Sequence, residues 1–130
     1  MPSADFNPTF TRLAPALVTE AAQYASSIFA DVNGRRGGLH GRIAAINPAL
    51  SFAGSALTVE VRPGDNLMIH AAIAIAQPGD VLVIDGKGDQ TCALMGSIMM
   101  NQCKAKKLAA VVLDAAARDL DELRDRKSVV

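Results

Sequence analysis

Apolar residues near the start of the chain recur at helical spacing. Residues 14–33 read APALVTEAAQYASSIFADVN, and this pattern predicts one helix with an apolar stripe. Asn33 and Gly34 end the pattern, because both residue types tolerate the left-handed backbone that follows many helices. The next residues, GRRGGLHGR, are rich in glycine and predict a loop.

Four later segments have the apolar patterns of strands. RIAAI (42–46) is short and SFAGSALTVEVR (51–62) alternates in part, whereas VLVID (81–85) and LAAVVLD (108–114) are continuous apolar runs. Such continuous runs are typical of strands that are buried on both faces. We therefore expect four or five strands, with the last two covered on each side.

Helical patterns alternate with these strands. Asn66 can cap a helix over LMIHAAIAIAQ (67–77) that is apolar nearly all round. Such a helix is either central in the fold or covered by another subunit. GKGDQT (86–91) predicts a loop after the first buried strand. The following helix is expected over Thr91–Lys107, with Gly96 as a weak point where it can restart.

The last segment combines a connection, a short helix and an unfinished pattern. Residues 115–119 are expected to connect the last strand to a helix over Asp119–Arg126, which begins with acidic and ends with basic residues. Ser128–Val130 resemble the first residues of a strand. The alternation predicts a single layered α/β domain over residues 1–130, incomplete at its carboxyl terminus.

Composition narrows the classes of partner. Half of the 130 residues are hydrophobic, which is enough to bury a core, and thirteen basic residues balance thirteen acidic ones. This balance gives no electrostatic reason to expect nucleic acid or an anionic membrane as a partner. The apolar runs are too short to span a bilayer, and the first residues lack the pattern of a signal peptide. We therefore expect a cytoplasmic protein.

Several motifs that suggest a binding site are better explained by ordinary structural roles. Cys92 and Cys103 are too far apart for a zinc-binding pair, and His40 and His70 have no partner ligands at helix or strand spacing. GKGDQT lacks the third glycine of a dinucleotide-binding loop. The basic loop GRRGGLHGR has no interleaved aromatic residues, so a solvated or intersubunit loop is favoured over an RNA contact.

A more specific site is predicted where two buried strands are each followed by polar or glycine residues. Ligands collect at the carboxyl ends of parallel strands. If a helix restarts at Gly96, the N–H groups at the start of that helix form a pocket for a carboxylate. Arg118 can bind the same carboxylate, and Asp119 offers a hard oxygen ligand to Mg²⁺ or Mn²⁺. The N–H groups in question belong to Ser97, Ile98 and Met99.

The chain resembles the RraA-like family, which includes the 4-hydroxy-4-methyl-2-oxoglutarate aldolases. Six segments carry the resemblance in order and spacing: GRRGGLHGRI, FAGSALTV, PGDNLMIHAAI, PGDVLVIDGKGD, ALMGSIMM and VVLDAAARDLDEL. Together they span about residues 10–126. The resemblance implies a swivelling β/β/α fold, assembly into trimers or hexamers, and active sites between subunits.

The resemblance also implies roles for individual residues. The family's substrate segment falls on Gly96–Met99, its substrate-binding arginine on Arg118 and its metal-binding aspartate on Asp119. Asp31 matches an acidic position in the first helix that is thought to reach a neighbouring subunit's site. Glu122 matches the acidic position that closes the Arg-Asp motif.

The implied function is a metal-dependent lyase. It would cleave 4-hydroxy-2-oxo acids to pyruvate with Mg²⁺ or Mn²⁺, and would decarboxylate oxaloacetate through the same enolate. A lysine Schiff-base mechanism fits less well, because Lys87 lies in a polar glycine loop. The alternatives are a non-catalytic regulator of ribonuclease activity of the RraA type, or an inactive truncated remnant.

Three departures from the family pattern bear on these alternatives. Ser97 stands where the aldolases often have an acidic residue or glycine. Lys106 and Lys107 replace a region that usually carries a glycine before the strand. Family members also continue for further residues, and a carboxylate from that part contributes to the aldolase site.

Overall fold

The computed structural model describes residues 6–125 and is organised around a parallel sheet of three strands in the order β1-β2-β3. The strands are β1 (Ala56–Glu60), β2 (Val81–Met95) and β3 (Ala110–Ala117). The helices are α1 (Pro15–Ala21), α2 (Ser26–Val32), α3 (Leu67–Ile75), α4 (Ser97–Ala105) and α5 (Leu120–Asp125). From β1 onwards strands and helices alternate, as the α/β expectation requires.

The three strands share a regular register at their amino-terminal halves. Val81 on β2 lies between Ala56 on β1 and Ala110 on β3, and the pairing continues to Asp85. Beyond Asp85 the register shifts three times, and Met95 finally pairs with Ala117. The second half of β2 therefore bulges away from β3 and returns to it, which brings the carboxyl ends of the two strands together.

The core lies where α3 and α4 pack on this sheet. Its most deeply buried side chains are aliphatic residues of α3 and β2, and α4 adds two methionines and a thiol. They are Ile69, Leu82, Ile84, Leu94 and Met95 with Met99, Met100 and Cys103. Burial raises the pKa of the Cys103 thiol to about 11. The predicted burial of the VLVID strand is therefore confirmed for Val81, Leu82 and Ile84.

The first predicted helix is wrong in its length. Residues 14–33 form two short helices, because the backbone between Ala21 and Ser26 tightens into turns in which Gln23 N donates to Glu20 O at 3.1 Å and Tyr24 N to Ala21 O at 3.1 Å. Neither α1 nor α2 buries a residue. Most stability of a protein helix comes from packing of its apolar face, which this pair lacks within the described chain.

Two strand predictions are wrong as well. RIAAI (42–46) has no strand neighbour and is irregular, and only residues 56–60 of the segment 51–62 pair in the sheet. An apolar pattern cannot form a strand without a partner for its backbone groups. The sheet described by residues 6–125 accordingly has three strands rather than four or five.

The predicted loop over 86–91 and the start of the predicted helix at Thr91 are also wrong. Residues 86–95 belong to β2, and the helix begins only at Ser97. Asp89, Ala93 and Met95 pair with β3 and keep the stretch in the sheet, with Leu94 and Met95 buried. Residues 115–117, expected as a connection, extend β3 for the same reason. Lys87 and Gly88 have positive φ, so the chain bulges locally within β2.

The cover expected around α3 is found on one side only. Ile69, Ala72 and Ile73 are buried, whereas Leu67 is exposed. α5 starts at Leu120, close to the prediction, and the proposed end at Arg126 and the unfinished strand Ser128–Val130 lie outside the described residues. Among residues 6–125, no helix is long and apolar enough to cross a membrane.

Two arginines tie the irregular segments to the sheet. Arg12 forms a paired hydrogen bond with the buried carboxylate of Asp80, at 2.8 Å to each oxygen. Arg42 does the same with Asp114, at 2.7 and 2.6 Å, and so fixes the glycine-rich loop against β3. Both carboxyl groups have lowered pKa values. For Asp80, burial acts in the opposite direction, but the bonds from Arg12 and Gln77 N outweigh it; for Asp114 the Arg42 hydrogen bond is the main cause.

Candidate functional site

The ends of β2 and β3 bring two predicted site residues side by side. Met95 and Ala117 are paired in the last position of the sheet, so Gly96 and Arg118 leave it at the same edge. A backbone hydrogen bond from Arg118 N to Met95 O, at 3.0 Å, locks the two exits together. The expected approach of these strand ends is therefore present in the fold.

Asp119 bridges this edge to the first turn of α4. Its Oδ2 accepts a hydrogen bond from Ser97 N at 3.0 Å. The bond from Ser97 N is the main cause that lowers the pKa of Asp119; the Ser97 hydroxyl and the charge of Arg118 act in the same direction, while burial opposes them. The bond therefore stabilises the charged form of Asp119, which extends its ionised range to lower pH.

The local backbone explains why Asp119 can reach α4. Its φ is +64°, in the left-handed region, which Asp visits more readily than most residues. Its carbonyl oxygen accepts a hydrogen bond from Leu123 N at 3.1 Å, so the same residue begins α5. The chain therefore turns sharply at Asp119, and the turn directs the carboxylate back to Ser97.

Arg118 offers a positive charge to solvent. Its side chain is 71% exposed, and its Nε lies 3.8 Å from Asp119 Oδ2. Among the described residues no shorter bond restrains the guanidinium. Arg118 is therefore available to bind an anion beside Asp119, with the planar geometry that suits a carboxylate.

The amides at the start of α4 are only partly open. Ser97 N–H already donates to Asp119, and the first amide that bonds within the helix is Met100 N, to Gly96 O at 3.1 Å. The N–H groups of Ile98 and Met99 have no acceptor in the helix ladder, as at every helix start. Ile98 is 70% exposed, whereas the Met99 side chain is buried and leaves only its backbone for a ligand.

The oxygen ligands at this site fit a cation that is bound partly by the protein and partly by a substrate. Among residues 6–125 there is no cluster of three His, Cys, Asp or Glu side chains that could cage a metal. Oδ1 of Asp119 has no hydrogen-bond partner among those residues, and the side chain is 38% exposed. Mg²⁺ commonly binds through one or two carboxylates and completes its shell with water and substrate oxygens.

Two further predicted residues lie apart from this cluster. Asp31 is on α2 and exposed, and none of the hydrogen bonds or ion pairs of the described residues joins it to Gly96, Arg118 or Asp119. Glu122 is exposed on α5, one turn beyond Asp119. Within one chain the structure therefore assembles Gly96, Ser97, Arg118 and Asp119, and leaves Asp31 for another surface.

The sequence analysis missed a row of carboxylates across the sheet. Glu60, Asp85 and Asp114 are aligned by the strand register. Lys87 Nζ bridges the first two at 2.8 and 3.0 Å, and Arg42 pairs with the third. The sequence signal for this row was an acidic residue at the end of each apolar run. Each carboxylate of this row is paired with a cation, so the row has a structural explanation.

A cavity of about 930 Å³ lies elsewhere, between β1, α3 and the amino-terminal segment. Its lining includes Phe10, Val59 and Met68 but none of residues 96–119. The site beside Gly96 is an open edge of the sheet rather than a closed pocket. Its polar and charged residues, not a cavity, mark it as the candidate site.

Comparisons with known proteins agree with this fold. The model of the RraA-like family, described as Aldolase/RraA, matches residues 16–130. A protein from Halalkalibacterium halodurans with the provisional name 4-hydroxy-4-methyl-2-oxoglutarate aldolase is 43% identical over 75 residues, which are 58% of this chain and 36% of that protein.

Two solved structures are similar over most of this chain. Streptomyces coelicolor RraAS2, an unusual member of the RNase ES inhibitor RraA family, has a TM-score of 0.81 at 26% identity, covering 92% of this chain and 63% of that one. The RNA-processing inhibitor RraA from Thermus thermophilis has a TM-score of 0.69 at 26% identity, covering 78% and 62%.

These relatives are longer than this chain, which spans 36% of the Halalkalibacterium protein and less than two thirds of both structures. The family match nevertheless extends over most of the chain. On the shared fold and the family match, the chain belongs to the RraA-like family.

Proposed function

We propose that this chain is a subunit of a divalent-metal-dependent lyase that releases pyruvate from 4-hydroxy-2-oxo acids and also decarboxylates oxaloacetate. The observation that carries the proposal is the meeting of Arg118, Asp119 and the first turn of α4 at one sheet edge. The naming of relatives as aldolases supports the same reaction class.

The chain's own residues supply binding and charge stabilisation. Arg118 pairs with the substrate carboxylate, and the Ile98 and Met99 amides add fixed positive potential where negative charge develops. Asp119, whose Oδ2 is held by Ser97 N, offers Oδ1 to Mg²⁺ or Mn²⁺. The cation would supply Lewis acidity towards the keto and carboxylate oxygens. Arg118 and the helix amides reduce the cost of the enolate charge.

A second copy of the chain is part of the proposal. α1 and α2 bury nothing, and the two helices and the turn between them expose large apolar side chains that form a candidate interface: Leu17, Tyr24, Ile28, Phe29 and Val32. Exposed apolar patches of this kind mark association surfaces. Association through α2 would carry Asp31 to a neighbouring chain, where it would accept the proton of the 4-hydroxyl group.

The test is a coupled pyruvate assay with oxaloacetate and with 4-hydroxy-4-methyl-2-oxoglutarate, with added Mg²⁺ or Mn²⁺ and with EDTA. We expect turnover only with the metal. Arg118→Ala should lower kcat/KM by about 10²-fold or more, because it removes a charge that stabilises the enolate. Asp119→Ala should abolish the metal dependence together with the activity.

Matched controls are available on α5. Arg124→Ala and Asp121→Ala remove the same side-chain types from exposed positions a few residues away. Both should keep wild-type kinetics. Turnover in EDTA, or equal turnover by Asp119→Ala and Asp121→Ala, would contradict the metal-dependent mechanism.

The second candidate function is ribonuclease regulation without catalysis. It is favoured by the two structural relatives whose names describe inhibitors of RNA processing or of RNase ES. Inhibition of an RNase E-type enzyme by the chain at stoichiometric concentration, with no pyruvate release under any metal condition, would establish this function in place of the lyase.

A further inference from the structure

Gly96 is in a position where its backbone does not require glycine. Its φ is −146° and its ψ is −169°, an extended conformation that any residue adopts. It precedes α4 without contributing a side-chain cap. Conformational freedom therefore gives no reason for glycine at this position.

The space around Gly96 does give a reason. A Cβ at this position would lie 2.7 Å from Asp119 Oδ2 and 2.9 Å from both Cγ and Nε of Arg118. Real Cβ atoms do not approach heavy atoms so closely, so one side chain or the other would have to move. The two side chains that would move are the proposed metal ligand and the proposed substrate-binding arginine.

The next residue holds the carboxylate from the other side. Ser97 N donates to Asp119 Oδ2 at 3.0 Å. One oxygen of Asp119 is thus fixed on the first turn of α4, while Oδ1 has no described partner. The bare Cα of Gly96 and the amide of Ser97 together form a seat for Asp119.

Other glycines show that this crowding is specific. Gly86 and Gly54 are also crowded, but each by a backbone carbonyl oxygen and by apolar side chains. Gly38 and Gly41 have nothing within 4 Å of an added Cβ. Gly96 differs from both groups, because its crowding comes from the two exposed functional side chains.

We propose that Gly96 and Ser97 are positioning residues, which orient Asp119 and Arg118 for cation and substrate rather than contacting the reacting atoms themselves. This inference rests on the proposed function for its consequence in catalysis. It further implies that the Ser97 amide is occupied by Asp119, so that Arg118 contributes more of the substrate carboxylate's binding than the amide pocket does.

Ser97→Pro gives the sharpest test, because it deletes one N–H and leaves the helix intact. Proline is favoured at the first position of a helix, and the extended backbone of Gly96 is compatible with a following proline. Ser97→Ala, which keeps the N–H, is the matched control for the hydroxyl. Gly96→Ala tests whether the space beside the Gly96 Cα must stay empty, and Gly38→Ala is its control.

The measurements are the Kd of Mn²⁺ by electron paramagnetic resonance, the separate values of kcat and KM, and the Tm. We expect Ser97→Pro and Gly96→Ala to weaken Mn²⁺ binding by about tenfold and to lower kcat, with little change in Tm, since only exposed side chains are displaced. Gly38→Ala should leave all values unchanged, and Ser97→Ala should have the smaller effect. Wild-type Mn²⁺ affinity and kcat in Ser97→Pro would overturn the inference.

A separate readout distinguishes this inference from the proposed function. In ¹H–¹⁵N spectra the Ser97 amide should shift in Asp119→Ala, which removes its acceptor, and should stay in place in Asp121→Ala. If the wild-type chain neither binds Mn²⁺ nor releases pyruvate, the proposed function fails while this spectral comparison still decides the positioning. A Ser97 amide whose shift is unchanged in Asp119→Ala would show that the seat does not exist.

Discussion

Four residues other than glycine have positive φ among residues 6–125. Arg35, Lys107 (φ +59°) and Asp119 lie where a helix or strand has ended, and Lys87 lies within β2. At Asp119 the left-handed turn directs a carboxylate to α4. At Lys107 the side chain forms no hydrogen bond among the described residues, so the left-handed conformation brings no visible benefit there. The departure from the family pattern noted at Lys107 is therefore a local structural cost.

Replacing Lys107 by glycine should stabilise the chain. Lys107 follows α4, where Lys107 N donates to Lys104 O at 2.9 Å and Leu108 N to Cys103 O at 3.1 Å, a geometry that glycine adopts without strain. We expect Tm to rise by roughly 3–6 °C in calorimetry. Lys104→Gly, the same substitution within α4, should lower Tm instead, because glycine destabilises helix interiors. A lower Tm for Lys107→Gly would contradict the strain argument.

At the scale of elements, the local apolar pattern was sufficient to predict a helix or strand where burial decides the conformation. The continuous apolar runs at 81–85 and 108–114 contain the strand cores, and the helix after Asn66 begins at Leu67 as expected. The pattern failed at residues 86–95, whose strand conformation depends on pairing with β3, and at residues 42–46, which found no partner. Pairing over long distances along the chain leaves no periodic signal in the segment itself.

The candidate site shows the same division. The adjacency of Gly96 and Arg118 follows from a general property of parallel strands, so it could be predicted. The bond from Ser97 N to Asp119 could not, since it depends on a φ of +64° at Asp119 that composition and spacing do not reveal. The pairing of Arg42 with Asp114 joins a loop to a strand 72 residues later, and it could not be predicted from the sequence either.

The attachment of the amino-terminal segment to the sheet predicts a pH-dependent stability. The pKa of Asp80 is lowered in the folded chain, so its ion pair with Arg12 contributes stability above the ordinary carboxyl pKa of 3.8, and this contribution is lost as pH falls through the folded value. Arg12→Met leaves the carboxylate buried without its partner. We expect a Tm lower by roughly 5–10 °C at pH 7.

The difference in Tm between Arg12→Met and the wild-type chain should become smaller below about pH 4. Protonation of Asp80 then removes the charge that needs a partner. Arg36→Met, which removes an arginine from the basic loop, serves as the control and should melt like the wild-type chain at every pH. A deficit of the same size at pH 3 and pH 7 would mean that packing against Phe10, whose ring lies 4.3 Å from Arg12 Cζ, dominates over the charge.

At the scale of the whole molecule, the described chain is asymmetric in its packing. The sheet with α3 and α4 has a dense core, whereas α1 and α2 display apolar side chains and Asp31 on a surface that none of residues 6–125 covers. The open edge at Gly96 likewise has residues for the substrate and the cation, and in the proposed function it takes its proton acceptor, Asp31, from a second copy. An assembly that places α2 of one copy beside the edge of another would complete both surfaces at once.

Mixing two inactive variants tests this arrangement directly. Asp31→Ala and Arg118→Ala should each lose most of the lyase activity, because one lacks the proton acceptor and the other the anion-binding charge. If each site combines Arg118 of one copy with Asp31 of its neighbour, an equal mixture that exchanges subunits should recover up to about a quarter of the wild-type activity, the random fraction of sites with both residues intact. Arg118→Ala mixed with Asp119→Ala is the control, since those residues share one chain and no exchange can restore the pair. Light scattering on the same samples gives the oligomer size, and a monomer in both variants and wild type, or recovery no greater than in the control, would place Asp31 outside the site.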